Sequence, residues 1–269
     1  MNNGVVAGVD LGTAAIKVVF IGNNNQLLWS KVIPATIESV ETANRILGEG
    51  LMSLGLPIES DLDVAATGYG KRVFNHKHVS IDEISALAVG ANVLSGGRAR
   101  TIINIGGQDT KIVSISETGK LKDFKMNEKC AAGTGRFFEM VSRVLNVPID
   151  KLGDMFRSDA AALTINNTCA VFAESEIVSL LYKNVSKEEI IGGVYCSMAR
   201  RIVDFIGRFE IEREVYLDGG PARNKGLLAA LKKELMLDIS VLPQHQFTTA
   251  AGAAIILAHR LKFGGSTVE

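Results

Sequence analysis

Alternating and continuous apolar segments predict a mixed α/β chain whose first half starts with strands and continues with helices. Short apolar segments rich in valine and isoleucine are separated by glycine and asparagine turns, which is typical of strands. Apolar residues also recur every three or four positions in longer segments, which is typical of helices. The predicted elements are strands at residues 5–9, 16–21 and 27–32, a helix at 36–54, a strand at 62–66 and a helix at 82–94.

The same order of strands and helices restarts near residue 101. The predicted elements are strands at residues 101–105, 110–116 and 121–126, helices at 131–145, 175–181 and 187–209, a strand at 215–217, a helix at 227–237, a strand at 239–242 and a helix at 248–261. Two successive groups of strands and helices predict two α/β lobes with a cleft between them. We place the first lobe at residues 1–97 plus 247–269 and the second at residues 98–246.

A short motif occurs once in each half. Residues 10–12 (Asp-Leu-Gly) are followed by Lys17, and residues 104–106 (Asn-Ile-Gly) are followed at the same distance by Lys111. Both motifs lie in predicted strand–turn–strand hairpins, and they are offset by 94 residues. A divergent internal duplication is the simplest interpretation.

Composition narrows the class of protein. Apolar residues make up 47% and charged residues 22% of the 269 residues, a mix that excludes a mostly disordered chain. Lysine plus arginine and aspartate plus glutamate both number 29, so no basic excess points to nucleic acid or an anionic membrane. With no targeting signal and no apolar segment long enough to span a bilayer, we expect a soluble, cytoplasmic protein.

The two glycine hairpins are the first candidates for chemistry. Turns without Cβ atoms let backbone N–H groups approach a phosphate closely, and two such turns across a cleft would hold a polyphosphate from both sides. Asp10 would then hold Mg²⁺ through water, Lys17 would neutralise phosphate charge, and Gln108 would orient an attacking water. Each hairpin alone is more simply an ordinary turn, but the duplication favours the functional interpretation.

A third glycine motif follows the predicted strand at residues 215–217. Asp218 precedes Gly219 and Gly220, which leave room for a flat group such as adenosine against the backbone. The sequence is neither a Walker A nor a GxGxxG motif, and a plain strand-to-helix turn explains it equally well.

The chain has three cysteines, too few and odd in number for a disulfide framework, which favours a reducing compartment. Cys130 and Cys169 each precede a predicted helix, whose N-terminus favours a thiolate or an anionic cluster. Neither has a CxxC partner. Two chains related by a two-fold axis would nevertheless offer four such cysteines, the number of ligands that a [4Fe–4S] cluster needs. Buried thiols are the alternative for both, and the simpler interpretation for Cys196, which lies within a predicted helix.

Six motifs together resemble one known family, along nearly the whole chain. They are GVDLGT at residues 8–13, ATGYG at 66–70, IGGQD at 105–109, NEKCAAGTGRF at 127–137, CAVFAESE at 169–176 and GG at 219–220. The sequence is similar to the activator ATPases of 2-hydroxyacyl-CoA dehydratases, a family that also includes ATPase subunits of benzoyl-CoA reductases (BadF/BadG/BcrA/BcrD-type). The two cysteine-bearing motifs are specific to it, whereas the glycine turns alone indicate only the wider actin/hexokinase/Hsp70 superfold.

This resemblance implies a two-lobed, actin/hexokinase/Hsp70-like α/β fold (ribonuclease H-like and duplicated) with a nucleotide cleft between the lobes. It also implies a homodimer with one bridging [4Fe–4S] cluster, held by Cys130 and Cys169 of each subunit. Hydrolysis of ATP to ADP, with Mg²⁺, would drive one low-potential electron from a ferredoxin or flavodoxin to a 2-hydroxyacyl-CoA dehydratase. An ATPase subunit of an aryl-CoA reductase, such as a benzoyl-CoA reductase, is the alternative that the sequence does not separate.

The resemblance also assigns site residues by position. The catalytic set is Asp10, Asn104 and Gln108, and Asp10 is the candidate Mg²⁺ ligand. The nucleotide-binding set comprises Gly12, Thr13, Ala14, Ala15, Ile16, Lys17, Gly106, Gly107, Gln108, Asp109, Gly133, Thr134, Gly135, Arg136, Glu174, Gly219, Gly220, Asn224, Gln246 and Gly252. Asn104 stands where the family usually has aspartate, which we expect to weaken Mg²⁺ binding or water activation and to place more of the hydrolysis on Asp10 and Gln108.

Two other classes stay open at this point. A small-molecule kinase of the same superfold, such as an amino-sugar kinase, would need a sugar pocket and a catalytic aspartate between its lobes. A nucleotide-dependent scaffold or chaperone-like module would need a separate substrate-binding domain, for which we expect no room in 269 residues.

Overall fold

The computed structural model describes residues 4–57, 61–127, 133–157, 163–166 and 169–263. Its strands are β1 (Val6–Leu11), β2 (Ala15–Ile21), β3 (Leu27–Pro34), β4 (Asp63–Thr67), β5 (Val79–Ser80), β6 (Thr101–Ile105), β7 (Thr110–Ile115), β8 (Leu121–Asn127), β9 (Val215–Asp218) and β10 (Ile239–Val241). Its helices are α1 (Ser39–Ser53), α2 (Glu83–Leu94), α3 (Gly135–Leu145), α4 (Ala170–Tyr182), α5 (Lys187–Ile206), α6 (Lys225–Leu235) and α7 (Thr248–Phe263). Among the residues described, none of the helices combines the length and apolarity that a membrane span needs.

Several elements differ from the prediction, mostly at their ends. α5 ends at Ile206 rather than at residue 209, because Gly207 adopts a φ of 56° and ends the helix. α4 begins at Ala170, five residues earlier than predicted. β5 is not predicted, since its two exposed residues carry no alternating pattern. The predicted start of α3 at residue 131 lies outside the described residues.

The chain divides into two compact units. Unit 1 comprises Met1–Arg100, Ile115–Asp123 and Leu242–Glu269, and unit 2 comprises Thr101–Ser114 and Phe124–Val241. The lobe boundaries proposed from the sequence, after residue 97 and before residue 247, differ from these by three and five residues. The sequence also places residues 115–123 in the second lobe, whereas the structure groups this region of the β7–β8 turn with unit 1.

Unit 1 contains a five-stranded sheet with helices on both faces. The strand order is β3-β2-β1-β4-β5, and β1 is antiparallel to β2 but parallel to β4. Val9 of β1 belongs to an apolar cluster with Ile46 of α1, whereas Val6 belongs to another with Ala254 of α7. β1 is therefore covered on both faces, and Asp10 near its end is its one charged residue.

Helices α2 and α7 cross at two glycines. A Cβ at Gly252 would overlap with the carbonyl oxygen of Ala86, and a Cβ at Gly90 would overlap with that of Thr248. The backbones of the two helices therefore touch. Gly252, which was predicted to bind nucleotide, has a packing role within unit 1.

We expect Gly252→Ala to lower the free energy of unfolding by about 1–3 kcal/mol, since the added methyl group meets backbone that cannot move aside. Gly48→Ala is the matched control, because Gly48 lies inside α1 with no atom within 4 Å of where its Cβ would lie. That change should raise the free energy of unfolding by about 0.5–1 kcal/mol. Urea unfolding measures both effects, and a Gly252→Ala variant as stable as the original chain would contradict the close crossing.

Unit 2 repeats the strand arrangement of unit 1. Its sheet has the order β10-β9-β6-β7-β8, in which β6 is antiparallel to β7 and parallel to β9. The core combines Ile103 and Ile105 of β6 with Phe137 of α3, Ile177 of α4 and Tyr195 of α5. The duplication predicted from the two hairpins is therefore confirmed at the level of strand pairing.

Candidate functional site

Asp10 and Lys17 face each other across the first glycine hairpin. They are paired residues of β1 and β2, and Lys17 Nζ donates to Asp10 Oδ2 at 2.9 Å. Asp10 is buried and the Lys17 side chain is 22% exposed, so the ion pair lies at the edge of the core. Gly12 closes the turn, where its N–H donates to the carbonyl oxygen of Ala15 at 3.1 Å. The structure thus brings Asp10, Gly12 and Lys17 together.

Two residues at the end of β4 complete the surroundings of Asp10. Thr67 pairs with Asp10 in the parallel β1–β4 ladder, and Gly68 follows it with a φ of 81°. A Cβ at Gly68 would lie 2.5 Å from Asp10 Oδ1, so any side chain at this position would overlap with the carboxylate. Thr67 is fully buried, and its Oγ1 is one of three buried side-chain atoms without a hydrogen-bond partner among the described residues. Because buried hydroxyls are normally hydrogen-bonded, this position suits a polar ligand beside Asp10.

The second glycine hairpin is held by a different ion pair. Lys111 Nζ lies 2.8 Å from Asp109 Oδ2, and both side chains are largely buried. Gly106 N–H donates to the carbonyl oxygen of Asp109 at 2.9 Å, which repeats the turn geometry of the first hairpin. Gln108, the predicted water-orienting residue, is exposed in this turn, and Gly107 is half-buried. The predicted residues of this loop therefore share one turn, with Gln108 open to a ligand.

Asn104 lies between Lys111 and Asp218 in the sheet of unit 2. Strand β6 pairs Asn104 with Lys111 of β7 and with Asp218 of β9. Asn104 Nδ2 donates to Asp218 Oδ2 at 2.6 Å, and both residues are buried. Gly219 follows with a φ of 93°, and a Cβ there would overlap with the carbonyl oxygen of Ile105. Asn104 and the glycine motif predicted for adenosine are therefore neighbours.

Three hydrogen bonds join the second hairpin to the segment that begins α3. Gly135 N–H donates to the carbonyl oxygen of Gly106 at 2.8 Å, and the next N–H in the chain donates to that of Gly107 at 3.0 Å. Thr110 Oγ1 donates to the carbonyl oxygen of Gly133 at 2.7 Å. We name residues 106–110 and 133–136 the hairpin–helix joint. The predicted nucleotide segment 133–136 thus supports the glycine loop through its backbone.

The other predicted nucleotide residues have varied surroundings. Ile16 is fully buried in the core of unit 1. Asn224 accepts from Leu227 N–H at 3.0 Å and donates to the Tyr195 hydroxyl at 2.6 Å, so both its polar groups serve the fold, and its binding of nucleotide stays a prediction. Glu174 forms an ion pair with Arg143 at 2.9 Å. Of the remaining members, Thr13 is exposed, whereas Ala14, Ala15, Gly220 and Gln246 are half-buried.

Cys169 and Cys196 lie among the described residues, and Cys130 lies outside them. Cys169 is half-buried at the N-cap of α4, and its N–H donates to Asn166 Oδ1 at 3.4 Å. Cys196 is buried within α5, where burial raises the pKa of its thiol and disfavours a thiolate. In the part of the chain that the structure describes, no group of three or more His, Cys, Asp or Glu side chains is placed to hold a metal ion.

Thr67, Gly68 and Asp218 are not among the site residues predicted from the sequence. Their signal is a polar residue followed by glycine at the end of an apolar strand, which occurs at both residues 67–68 and 218–219. Such a dipeptide is common in turns, so it becomes informative only once β4 is known to pair with β1 and β9 with β6.

Comparison with known proteins points to one family. The profile of the BadF/BadG/BcrA/BcrD ATPase family matches residues 7–256. The chain is 38% identical to the activator of lactoyl-CoA dehydratase from Anaerotignum propionicum, over 92% of this chain and 95% of that protein. It is 36% identical to the 2-hydroxyisocaproyl-CoA dehydratase activator of Clostridioides difficile, over 92% of each. A solved structure of the activator of the 2-hydroxyisocaproyl-CoA dehydratase from Clostridium difficile contains bound ADPNP. It matches this chain with a TM-score of 0.88 and 34% identity, over 98% of this chain and 99% of that one.

More distant similarities bear on the alternatives. A benzoyl-CoA reductase component from Thauera aromatica is 28% identical over 95% of this chain and 94% of that protein. A ROK family glucokinase from Streptomyces griseus and MreB 5 of Spiroplasma citri have TM-scores of 0.56 and 0.57 at 14% and 13% identity. At such identity they show the fold alone, and the actin/hexokinase/Hsp70-like α/β fold predicted from the sequence is confirmed.

Proposed function

We propose that this chain, which belongs to the BadF/BadG/BcrA/BcrD ATPase family, is an ATP-hydrolysing activator of a 2-hydroxyacyl-CoA dehydratase. Relatives whose names give this role match most of its length. The structural observation that carries the proposal is the hairpin–helix joint, because it bonds a glycine loop suited to phosphate to the segment that follows Cys130 in the sequence. An ATPase subunit of an aryl-CoA reductase ranks second, since the benzoyl-CoA reductase relative is less similar.

In the proposed ATP hydrolysis, a water oxygen forms a bond to the γ-phosphorus, and the bond from that phosphorus to the bridging oxygen breaks. ADP, inorganic phosphate and a proton are released. Backbone N–H groups of a glycine turn would contact phosphate oxygens, and Lys17 would balance phosphate charge. Gln108, which is exposed in its turn, would orient the water.

The surroundings of Asp10 fit Mg²⁺. This ion usually takes one or two carboxylates from a protein and fills its other positions with water and phosphate oxygens. One oxygen of Asp10 binds Lys17, and the other lies next to Gly68, which has no side chain to cover it. Thr67 on the same face of the sheet adds a buried hydroxyl without a protein partner. The ion would supply positive charge to the phosphates during hydrolysis.

For the redox part, two copies of the chain would hold one [4Fe–4S] cluster through Cys130 and Cys169 of each. Cys169 fits this role because it is a free, half-buried thiol at the N-cap of α4, where a cluster could reach its sulfur. When bound, the cluster supplies one-electron chemistry at low potential. The electron would come from a reduced ferredoxin or flavodoxin and pass to the dehydratase, which leaves the donor oxidised and the dehydratase reduced by one electron.

Helix α4 offers a surface for the second copy of the chain. Its inner face buries Ala173 and Ile177, whereas its other side exposes Val171, Phe172 and Tyr182 by 63% to 85%. Exposed apolar side chains grouped on one face favour burial in an interface. They lie on the helix that begins directly after Cys169, so a two-fold dimer that covers them would bring the two Cys169 thiols toward one axis.

The hairpin–helix joint gives nucleotide turnover a route to the cysteine segment. Loss of the γ-phosphate changes what the glycine loop contacts, and the carbonyl groups of that loop bond the first N–H groups of α3 directly. A shift of the loop would therefore move Gly133, which stands three residues after Cys130 in the sequence. Such coupling requires that ATP and ADP bind two conformations with different affinity.

Anaerobic purification, iron analysis and an activation assay test the proposed function. We expect about four irons per two chains and broad absorbance at about 400 nm. Reduced ferredoxin should then reduce a purified 2-hydroxyacyl-CoA dehydratase only in the presence of ATP. An ATP analogue that cannot be hydrolysed is the control and should not sustain the transfer. Colourless, iron-free protein that phosphorylates a sugar would contradict the proposal and favour a kinase of the same fold.

A further inference from the structure

The strand ends near the two hairpins carry corresponding residues. In each unit the central strand contributes one residue, which pairs with one residue of its antiparallel neighbour and one of its parallel neighbour. These strand-end sets are Asp10, Lys17 and Thr67 in unit 1, and Asn104, Lys111 and Asp218 in unit 2. Each set can therefore be compared with the other, position by position.

The correspondence extends to the backbone around each set. Gly68 and Gly219 follow the third member of their sets, and both have left-handed backbone, with φ of 81° and 93°. A Cβ on Gly68 would lie 2.8 Å from the carbonyl oxygen of Leu11, and one on Gly219 would overlap with that of Ile105. Leu11 and Ile105 are themselves 94 positions apart, the offset of the two hairpins. The same atoms thus approach each other in both units.

The sets differ in the strand that carries the carboxylate. Unit 1 has aspartate on its central strand and threonine on the parallel neighbour, whereas unit 2 has asparagine on the central strand and aspartate on the neighbour. Asn104 Nδ2 donates to Asp218 Oδ2 at 2.6 Å, and Asp218 is 1% exposed. A neutral amide hydrogen-bonds a buried carboxylate without adding a second charge. Each unit therefore keeps one carboxylate in its set.

We propose that Asp218 is the carboxylate through which unit 2 contacts the Mg²⁺–nucleotide complex, and that Asn104 is the positioning residue that holds it. The inference rests on the ATP hydrolysis proposed above. It revises the expectation that asparagine at position 104 weakens Mg²⁺ binding, because the carboxylate is present on the adjacent strand. Aspartate at both positions would place two like charges in hydrogen-bonding contact, which is unfavourable.

Exchange of the two residues tests this assignment. D218T and N104D are made singly and together, so that the double variant gives unit 2 the arrangement of Asp10 and Thr67. Calorimetry measures ADP binding with and without Mg²⁺, and ATP hydrolysis is followed in parallel. We expect D218T to lose about 10- to 100-fold of the Mg²⁺-dependent part of ADP affinity, and N104D/D218T to recover to within about threefold of the original chain.

A surface aspartate of the same unit provides the matched control. The side chain of Asp238 is 87% exposed, so D238T should bind Mg²⁺ and ADP as the original chain does. If the original chain binds no ADP with Mg²⁺, the proposed function itself fails, whereas normal binding by D218T overturns only this inference. A double variant that binds no better than D218T, or that does not fold, also overturns it, because unit 1 shows that this arrangement is compatible with the fold.

Discussion

Cys169→Ala should give a chain that binds no iron and no longer reduces the dehydratase, while ATP hydrolysis continues. Two copies of the chain offer four thiolates if Cys130 and Cys169 both serve, and a [4Fe–4S] cluster needs four ligands. Substitution of Cys169 in both chains leaves two cysteine ligands. The residues of the glycine hairpins are untouched by this change, so we expect the hydrolysis rate to stay near that of the original chain. Iron content, visible absorbance and hydrolysis rate of the same preparations provide the measurement.

Two further variants separate loss of the ligand from loss of the fold. Cys169→Ser places serine, which is favoured at a helix N-cap, before α4. The helix should therefore form normally while iron is still lost. Cys196→Ala removes a thiol that is 1% exposed and whose pKa is raised by burial, so iron should be retained. A Cys169→Ser preparation with the iron content of the original chain would show that this thiol is not a ligand.

Local sequence patterns were sufficient to predict the two hairpins of the site. Asp10 and Lys17 are seven residues apart, and an antiparallel hairpin brings such neighbours together through a turn that glycine marks. The second hairpin follows the same rule, with Asn104 opposite Lys111. Hence the sequence predicts both hairpins, their repeat and most of the residues in the two turns.

Parallel strand pairing is the part that the sequence does not reveal. Asn104 and Asp218 are 114 residues apart, yet they are hydrogen-bonded because β6 and β9 are adjacent and parallel. Thr67 reaches Asp10 in the same way through β1 and β4. Helices separate such strands in the chain, so no turn and no spacing rule connects the residues. The carboxylate of Asp218 could therefore be recognised as the counterpart of a position in unit 1 only from the structure.

A residue type can also fit a function from the sequence and still serve the fold. Gly252 permits the contact between α7 and α2 at Ala86, and its binding of nucleotide stays a prediction. Asn224 follows a glycine motif, but its side chain caps α6 and bonds Tyr195. In both cases the structure adds a role in tertiary packing, which short motifs do not encode.

Asp10→Asn should lower the rate of ATP hydrolysis by about 100-fold or more, because a bound metal ion contributes several kcal/mol to stabilising the charge of the transition state. The substitution keeps the shape of the side chain but removes the charge that binds Lys17 and that would hold Mg²⁺. Iron content should stay at the level of the original chain, because the cysteines are unchanged. Hydrolysis at saturating ATP and Mg²⁺, measured beside iron content, checks both expectations.

The exposure of Lys17 allows the loss of charge at Asp10 to be distinguished from a loss of fold. The Lys17 side chain is 22% exposed, so water still reaches its ammonium group when Asp10 is neutral, and the variant should remain folded. Asp61→Asn is the control, since Asp61 and its partner Lys77 are 90% and 89% exposed, and hydrolysis should be unaffected. If Asp10→Asn hydrolyses ATP at the original rate, Asp10 is not the Mg²⁺ ligand. In that case Asp218 becomes the remaining proposed carboxylate for Mg²⁺. D218T alone should then abolish the effect of Mg²⁺ on ADP binding.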